Sequence, residues 1–430
     1  MHSIFRALGR VVPLLLLAAM LVQALPAAAH GERAQEPYLR TRTAHWYDVK
    51  WSVDKLGVND TITVTGKFRL FGDWPDAVQI PHTVFVSNAT PGPVLARVES
   101  YLNGVPARQS FRDLQIGRDY EYKMVLKGRV PGRFHVHPMI AVKGSGPLVG
   151  PGKWIEVTGN RADFVFPVSA ISGEQIDNLE TWGLGAAIKW HLVWLTIAVV
   201  WILWWVRRPL LMPRYLALKA DREDLLTTNT DLKVGIGLLI VTLVVTFAGY
   251  RWAKSTYPRT VPLQAGTMYT PPLPAEPKAV NVRFQEARYD VPGRSMRMAL
   301  DVTNLSDKPL RLGEFATASI RFVNLNLPAA KANIDPGYPM EVIARTTLSI
   351  SDDSEIKPGE TRTLRIDATD AAWEIERLTS FLTDVDSKFG GLLFFFDPQG
   401  KRYIAEVGGP ILPVFKGVQV KQAATGNAGT

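Results

Sequence analysis

Two long apolar runs constrain the fold of this chain more than any other feature of its sequence. The first spans residues 186–206 and is followed by Arg207. The second spans residues 234–250 and lies between Lys233 and Arg251. A helix needs about 20 residues to cross about 30 Å of hydrocarbon, so the first run is ample and the second is short but sufficient. Neither run has a polar face, which argues against two core helices of a soluble domain. The sequence therefore predicts a helical hairpin that crosses a membrane twice.

The charges and the N-terminus predict the orientation of this membrane segment, 186–250. Its connecting stretch, 207–233, contains six Lys or Arg residues, and short basic connections stay in the cytoplasm. Residues 1–29 combine early arginines, an apolar run and the small-residue ending Ala27-Ala28-Ala29, as in a secretory signal peptide. Both signals predict that the flanking regions lie on the periplasmic side of a bacterial inner or intracytoplasmic membrane.

The regions that flank the membrane segment have the sequence pattern of β-sheet proteins. Between residues 30 and 180, short alternating runs are separated by Gly, Pro, Asn and Asp, and no long helical period interrupts them. Residues 265–416 repeat this pattern after a Pro-rich linker, 268–278. Several short strands at such spacing predict a sandwich or barrel in each region. The small, polar tail 417–430 is predicted to be flexible.

Composition excludes several classes of function. The chain has no cysteine, so disulfides, thiolate copper centres and cysteine nucleophiles are excluded. No histidine follows His191, so region 265–416 lacks the residues for an imidazole metal site or a Ser/His/Asp triad, and a structural or interface role is predicted for it. The formal net charge of +9 is assigned to membrane-flanking and partner-facing side chains. Nucleic acid is not expected as a partner, because no basic run is interleaved with aromatic residues.

Three of the seven histidines stand at positions where they could bind one metal ion together. Cleavage after Ala29 would make His30 the first mature residue, whose amine and imidazole can chelate a metal such as copper. His135 and His137 lie two residues apart in a predicted strand and therefore project from the same face. Taken separately, an arbitrary terminal residue and a solvated histidine pair are the ordinary explanations. The combination predicts a copper site formed by His30, His135 and His137.

Seven short motifs, distributed over nearly the whole predicted mature chain, carry a resemblance to a known family. They are His30-Gly-Glu-Arg33, Arg42-Thr-Ala-His-Trp-Tyr-Asp48, Phe134-His-Val-His-Pro138, Gly150-Pro-Gly-Lys-Trp154, Pro262-Leu-Gln-Ala-Gly266, Arg311-Leu-Gly-Glu-Phe315 and Gly391-Leu-Leu-Phe-Phe-Phe396. In combination they resemble the B subunit of the copper membrane monooxygenases, the family of particulate methane monooxygenase and ammonia monooxygenase. The resemblance implies a mainly β fold with membrane α-helices: two cupredoxin-like β-sandwich domains joined by two transmembrane helices. It also implies a copper site in the first domain.

The resemblance further implies partners and an activity. The partners are the A and C subunits, assembled with this chain as a trimer of heterotrimers in membrane lipid. The activity is hydroxylation of methane or a short hydrocarbon with dioxygen and a reductant, quinol. Ammonia oxidation to hydroxylamine is the alternative within the family, and a membrane-anchored copper carrier is the alternative from another class. The chain that activates dioxygen is left open, so no catalytic residue is assigned.

Some members of this family hold another copper ion with a second pair of histidines. His45 matches one of that pair, but Arg69 stands where its partner would be. Because a guanidinium stays protonated, it does not ligate a metal. The resemblance therefore predicts that this extra site is absent or very weak. Glu32 lies close to His30 in sequence, and both an outer-shell role and a plain surface position remain open for it.

Overall fold

The computed structural model describes residues 35–170, 173–209, 211–258, 266–383 and 387–415. The predicted signal peptide 1–29, His30, Glu32 and the tail 417–430 lie outside the described residues. The chain divides into two compact units. The first unit combines the part of the chain up to Asp163 with the part from Gly266 onwards, and the second unit is Phe164–Ala265.

The N-terminal part of the first unit is a β-sandwich, here called the first sandwich. After a short helix, α1 (Pro37–Thr41), its strands are β1 (Ala44–Trp51), β2 (Lys55–Gly57), β3 (Thr61–Leu70), β4 (Thr83–Ala89), β5 (Leu95–Leu102), β6 (Val105–Pro106), β7 (Ser110–Arg112), β8 (Asp119–Gly128), β9 (Gly132–Val142), β10 (Gly146–Val149) and β11 (Lys153–Thr158). One sheet has the order β1-β3-β8-β5-β6, and the other contains β7-β4-β9-β11-β2, with β10 paired to β9. Apolar side chains alternate inward along β3 and β8 and fill the core between the sheets.

The second unit contains the two apolar helices that the sequence predicts. Its elements are β12 (Val168–Ser169), β13 (Gln175–Ile176), α2 (Leu184–Trp205), α3 (Met212–Lys219) and α4 (Asn229–Thr256). Helices α2 and α4 are long and apolar enough to cross a membrane. Helix α4 begins upstream of the apolar run because Thr228 and Asp231 form a capping box, in which each side chain accepts a hydrogen bond from the other residue's backbone N–H. Asp231 also accepts hydrogen bonds from Trp204 and Arg208 near the end of α2.

The C-terminal part of the first unit is a second β-sandwich. The chain enters it through β14 (Thr267–Met268), which extends a sheet of the first sandwich by pairing with β7. The remaining elements are β15 (Val280–Asp290), β16 (Ser295–Asn304), β17 (Arg311–Thr317), β18 (Ile320–Val323), α5 (Pro328–Ala332), β19 (Ser349–Ile350), β20 (Thr361–Thr369), α6 (Ala372–Ile375), β21 (Lys388–Phe396), β22 (Arg402–Pro410) and β23 (Leu412–Val414). The two sheets have the orders β19-β20-β16-β15-β23 and β18-β17-β21-β22. The predicted fold class, mainly β with two apolar helices, is confirmed.

Side chains from each sandwich complete the packing of the other. Tyr338 and Val342, which belong to the second sandwich, are buried in the core cluster of the first. In return, Tyr47 of β1 packs in an apolar cluster with Phe394, Leu327 and other residues of the second sandwich. These shared clusters explain why the two β regions form one compact unit.

Candidate metal centre

The two histidines of the H-x-H motif lie side by side on strand β9. Residues two apart in a strand face the same way, so His135 and His137 share one face while Val136 between them is fully buried in the core. The imidazole ring centroids are 4.4 Å apart, and the rings are perpendicular. The predicted pairing of these two side chains is present in the structure.

A backbone carbonyl fixes the orientation of His137. This side chain is buried, and its Nδ1 lies 2.9 Å from the carbonyl oxygen of Gly150. A carbonyl oxygen only accepts hydrogen bonds, so Nδ1 carries the proton and Nε2 carries the lone pair. A neutral imidazole held in this way presents Nε2 as a metal donor.

The loop that supplies this carbonyl also makes room for both rings. A β-carbon at Gly152 would lie 2.3 Å from Cε1 of His137 and 2.7 Å from Cε1 of His135. No side chain larger than hydrogen fits there while both rings keep their positions. In the sequence the Gly150-Pro-Gly motif is one of the motifs that carry the resemblance, and the space that Gly152 leaves for the imidazoles emerges from the structure.

Two further groups contact His135. Trp154 stands opposite it in the β9–β11 register, with ring centroids 5.0 Å apart. The carboxylate of Glu341 lies 3.0 Å from His135 Nε2. Glu341 belongs to the second sandwich, so a side chain of each sandwich lies at the histidine pair. Glu341 is not predictable from the sequence because 206 residues separate it from His135, and no local pattern connects them.

His30 and Glu32 lie outside the described residues, so their relation to this pair remains a prediction. Within the part of the chain that the structure describes, no group of three or more His, Asp or Glu side chains is arranged to hold a metal. The described residues therefore supply two imidazoles, and the predicted set of three histidines requires His30 as well.

His45 occupies a different environment, near the start of strand β1. It is buried against Phe71 and stands opposite Arg69 in the β1–β3 register. Its Nε2 has no hydrogen-bond partner among the described residues. Burial, reinforced by the charge of Arg69, lowers the pKa of His45 to about 3, so the ring is neutral at ordinary pH.

The Arg69 guanidinium is already paired. Its Nε donates a hydrogen bond of 2.9 Å to Asp119, and its second bond to that carboxylate completes a bidentate ion pair. Glu406 of β22 lies farther away, at 3.9 Å from Arg69 Nε. The position next to His45 therefore holds a fixed, protonated guanidinium, which has no lone pair to donate to a metal.

Comparison with known proteins gives two similarities over nearly the whole chain. A family model described as the monooxygenase B-subunit protein matches residues 31–415. The particulate methane monooxygenase alpha subunit of Methylococcus capsulatus (strain Bath) is 45% identical over 390 residues, which cover 90% of this chain and 93% of that protein. Among solved structures, the cupredoxin domain of amoB from Nitrosocaldus yellowstonii matches 31% of this chain and 98% of its own length, at 18% identity and a TM-score of 0.24. A TM-score this low supports no structural argument.

Proposed function

The chain belongs to the monooxygenase B-subunit family, and from this premise we propose that it is the copper-binding subunit of a membrane monooxygenase. The proposed reaction is hydroxylation of methane or a short hydrocarbon with dioxygen, with quinol as the reductant. Methane is favoured because the 45% identical relative is named as a methane monooxygenase subunit. The proposal assigns copper binding to this chain and leaves the oxygen-activating site to the assembly as a whole.

The single observation that carries the proposal is the paired imidazoles of His135 and His137 around Gly152. Their rings are 4.4 Å apart, and the missing side chain at Gly152 leaves space beside both. Imidazole nitrogens suit copper, and the absence of cysteine excludes a thiolate site. The residues present therefore fit a copper ion held by nitrogen donors, with the amine and imidazole of His30 as the proposed remaining ligands.

In this proposal the chain's own residues hold and orient the donors. Gly150 fixes His137 through its carbonyl oxygen, and Trp154 restricts the ring of His135. Because both imidazoles are held by the rigid strand β9, little ordering remains when a metal binds. Copper, when bound, would supply redox chemistry towards dioxygen.

The remaining parts of the chain are assigned as follows. Residues 30–180 form the proposed cupredoxin-like copper domain, and residues 265–416 form a cupredoxin-like domain without a metal of its own. Both lie on the periplasmic side of a bacterial inner or intracytoplasmic membrane. The apolar surfaces of α2 and α4 contact lipid and the proposed partners, the A and C subunits, in a trimer of heterotrimers. A second copper ion at His45 is excluded from the proposal because the Arg69 guanidinium has no lone pair to donate.

The test uses washed membranes that contain the native complex with the full chain, supplied with quinol, dioxygen and either methane or ammonia. Copper content and product formation are measured for wild type, His135→Ala, His137→Ala and a variant with one alanine inserted after Ala29. Mass spectrometry of the mature terminus checks that the insertion removes the terminal position of His30. The matched control is His82→Ala, which removes an exposed histidine of the same sandwich.

We expect each of the three site variants to weaken copper binding more than about 100-fold, because each removes a proposed ligand. Loss of a group that only orients a ligand typically costs about 10–100-fold. His82→Ala should keep wild-type copper content and methanol formation. Copper retained at wild-type affinity in His135→Ala and His137→Ala would contradict the proposed site. A copper-loaded complex that oxidises neither substrate, and that loses its copper freely to chelators, would instead identify a carrier.

A further inference from the structure

We propose that Glu341 is a positioning residue for the copper site: the second sandwich supplies a carboxylate that orients His135. This inference depends on the proposed function, because it assigns a role at the same site. It extends that function by giving the domain without histidines a part in metal binding. Three features support it, namely the contact itself, the anchoring of Glu341 and the chemistry of a carboxylate–imidazole pair.

The contact determines which nitrogen of His135 faces a metal. Glu341 Oε1 lies 3.0 Å from His135 Nε2. An ionised carboxylate only accepts hydrogen bonds, so Nε2 donates the proton and Nδ1 carries the lone pair. Trp154 flanks the same ring, with 5.0 Å between centroids. The side chain of His135 is 19% exposed and that of Glu341 is 47% exposed, so the contact lies at the surface, with the imidazole as its more buried partner.

The backbone that carries Glu341 is anchored by buried side chains on either side of it. Glu341 lies in a single helical turn, Met340–Val342, within a segment that we call the docking loop, residues 335–343. Tyr338 and Val342, on either side of Glu341, are 5% and 3% exposed and belong to the core cluster of the first sandwich. Two buried anchors thus fix the backbone that carries the carboxylate.

The base of the docking loop is held by the second sandwich. The hydroxyl of Tyr338 donates a hydrogen bond to the carbonyl oxygen of Ser319, and the guanidinium of Arg321 stacks on the Tyr338 ring at 4.9 Å. Arg321 is itself fixed by a bidentate ion pair with Glu314, with both distances 2.7 Å. The position of Glu341 is therefore coupled to the ordered core of the second sandwich.

A carboxylate hydrogen-bonded to a metal-binding imidazole has a known physical effect. It fixes the tautomer and ring orientation and increases the basicity of the ligating nitrogen, and loss of such a partner typically costs 10–100-fold in metal affinity. His137 has a backbone carbonyl in the equivalent position. Each imidazole of the pair therefore has its own orienting acceptor, one from the first sandwich and one from the second.

The test compares Glu341→Ala and Glu341→Gln with wild type in the full chain, purified with its complex in detergent. The matched control is Asp335→Asn, which removes a 3.9 Å ion pair between Lys50 and the same docking loop without touching His135. The measurements are Cu(II) affinity by competition with a chelator, the Cu(II) electron paramagnetic resonance spectrum, and the melting temperature of the copper-free protein.

We expect Glu341→Ala to weaken Cu(II) binding about 10–100-fold and to change the spectrum. Glu341→Gln should restore part of the affinity because the amide oxygen still accepts the hydrogen bond, and Asp335→Asn should match wild type in both copper measurements. Unchanged affinity and spectrum in Glu341→Ala would overturn the inference. Equal copper losses in Glu341→Ala and Asp335→Asn, with equal falls in melting temperature, would also overturn it. If wild type itself binds no Cu(II), the proposed function fails.

Discussion

At the scale of single residues, Gly152 decides whether the two imidazoles can lie together. An alanine there would bring a methyl group within 2.3 Å of one ring and 2.7 Å of the other, closer than van der Waals contact. The backbone of Gly152 does not have a positive φ, so an alanine would be tolerated by the backbone itself. We therefore expect Gly152→Ala to fold, with the imidazoles displaced and copper affinity lowered at least about 10-fold.

The control for Gly152→Ala is Gly146→Ala, at the first residue of strand β10. Gly146 has φ +88° and open space around its Cα, so alanine there introduces backbone strain of about 1 kcal/mol without touching either ring. Copper titration and thermal unfolding of the two variants should give opposite patterns. Gly146→Ala should lower the melting temperature and keep wild-type copper affinity. Wild-type copper affinity in Gly152→Ala would contradict the inference that Gly152 makes room for both imidazoles.

The residue scale also explains which parts of the site the sequence could predict. The H-x-H spacing is a local property of a strand, so the pairing of His135 and His137 followed from the period of two. Glu341 approaches His135 only because two sandwiches pack together, and the space that Gly152 leaves depends on the position of a loop relative to β9. Such long-range contacts leave no periodic signal in one sequence.

At the scale of elements, strand β1 shows why the sequence pattern does not reveal every strand. Strands β3, β4 and β8 show the alternation that the sequence predicts, because one face of each is apolar and buried. Strand β1 does not show it. It is buried on both faces, by the core of its own sandwich and by the second sandwich, so its sequence lacks polar alternation.

A bulge in β1 directs Asp48 towards the second sandwich. The register with β3 shifts between Tyr47 and Lys50, and Asp48 has φ +53°, as expected for an extra residue that bends a strand. Asp48 accepts two hydrogen bonds of 2.6 Å from Arg402 of β22. Burial opposes ionisation of Asp48, but the hydrogen bonds and charge of Arg402 outweigh it and hold its pKa below the ordinary value.

Asp48→Asn should therefore destabilise the full chain by about 2 kcal/mol at pH 7, between the values for exposed and buried ion pairs. Asparagine tolerates positive φ, so the variant removes charge rather than backbone fit. A lowered pKa gives stability that is complete above the unfolded value of about 3.9 and is lost as pH falls below it. The difference in melting temperature between wild type and variant should accordingly be constant above about pH 5 and shrink as the pH falls from about 4 through the lowered pKa of Asp48.

The control for Asp48→Asn is Asp113→Asn. Asp113 also has a positive φ, +52°, and pairs with a basic side chain, His82, but both partners are more than half exposed. Its replacement should change the melting temperature little at any pH. Equal destabilisation by both substitutions would show that the loss does not come from the inter-sandwich ion pair.

At the scale of the whole molecule, the packing of the two sandwiches constrains the membrane topology. Both belong to one compact unit, although the membrane segment separates them in sequence. A bilayer between two sandwiches that share buried clusters would break those clusters. Membrane crossings between the two sandwiches must therefore come in an even number, and the two helices that are long and apolar enough to cross, α2 and α4, fit this requirement.

The absence of cysteine allows this topology to be tested directly. Single cysteines at the exposed positions Asp76, Gln399 and Thr227 report on the first sandwich, the second sandwich and the connection between α2 and α4. In right-side-out spheroplasts, a membrane-impermeant maleimide should label Asp76→Cys and Gln399→Cys and spare Thr227→Cys, because the proposed topology places the basic connection in the cytoplasm. Detergent should then make Thr227→Cys reactive, which verifies its exposure. Labelling of Thr227→Cys in intact spheroplasts, or of only one sandwich, would contradict a periplasmic unit joined by two crossings.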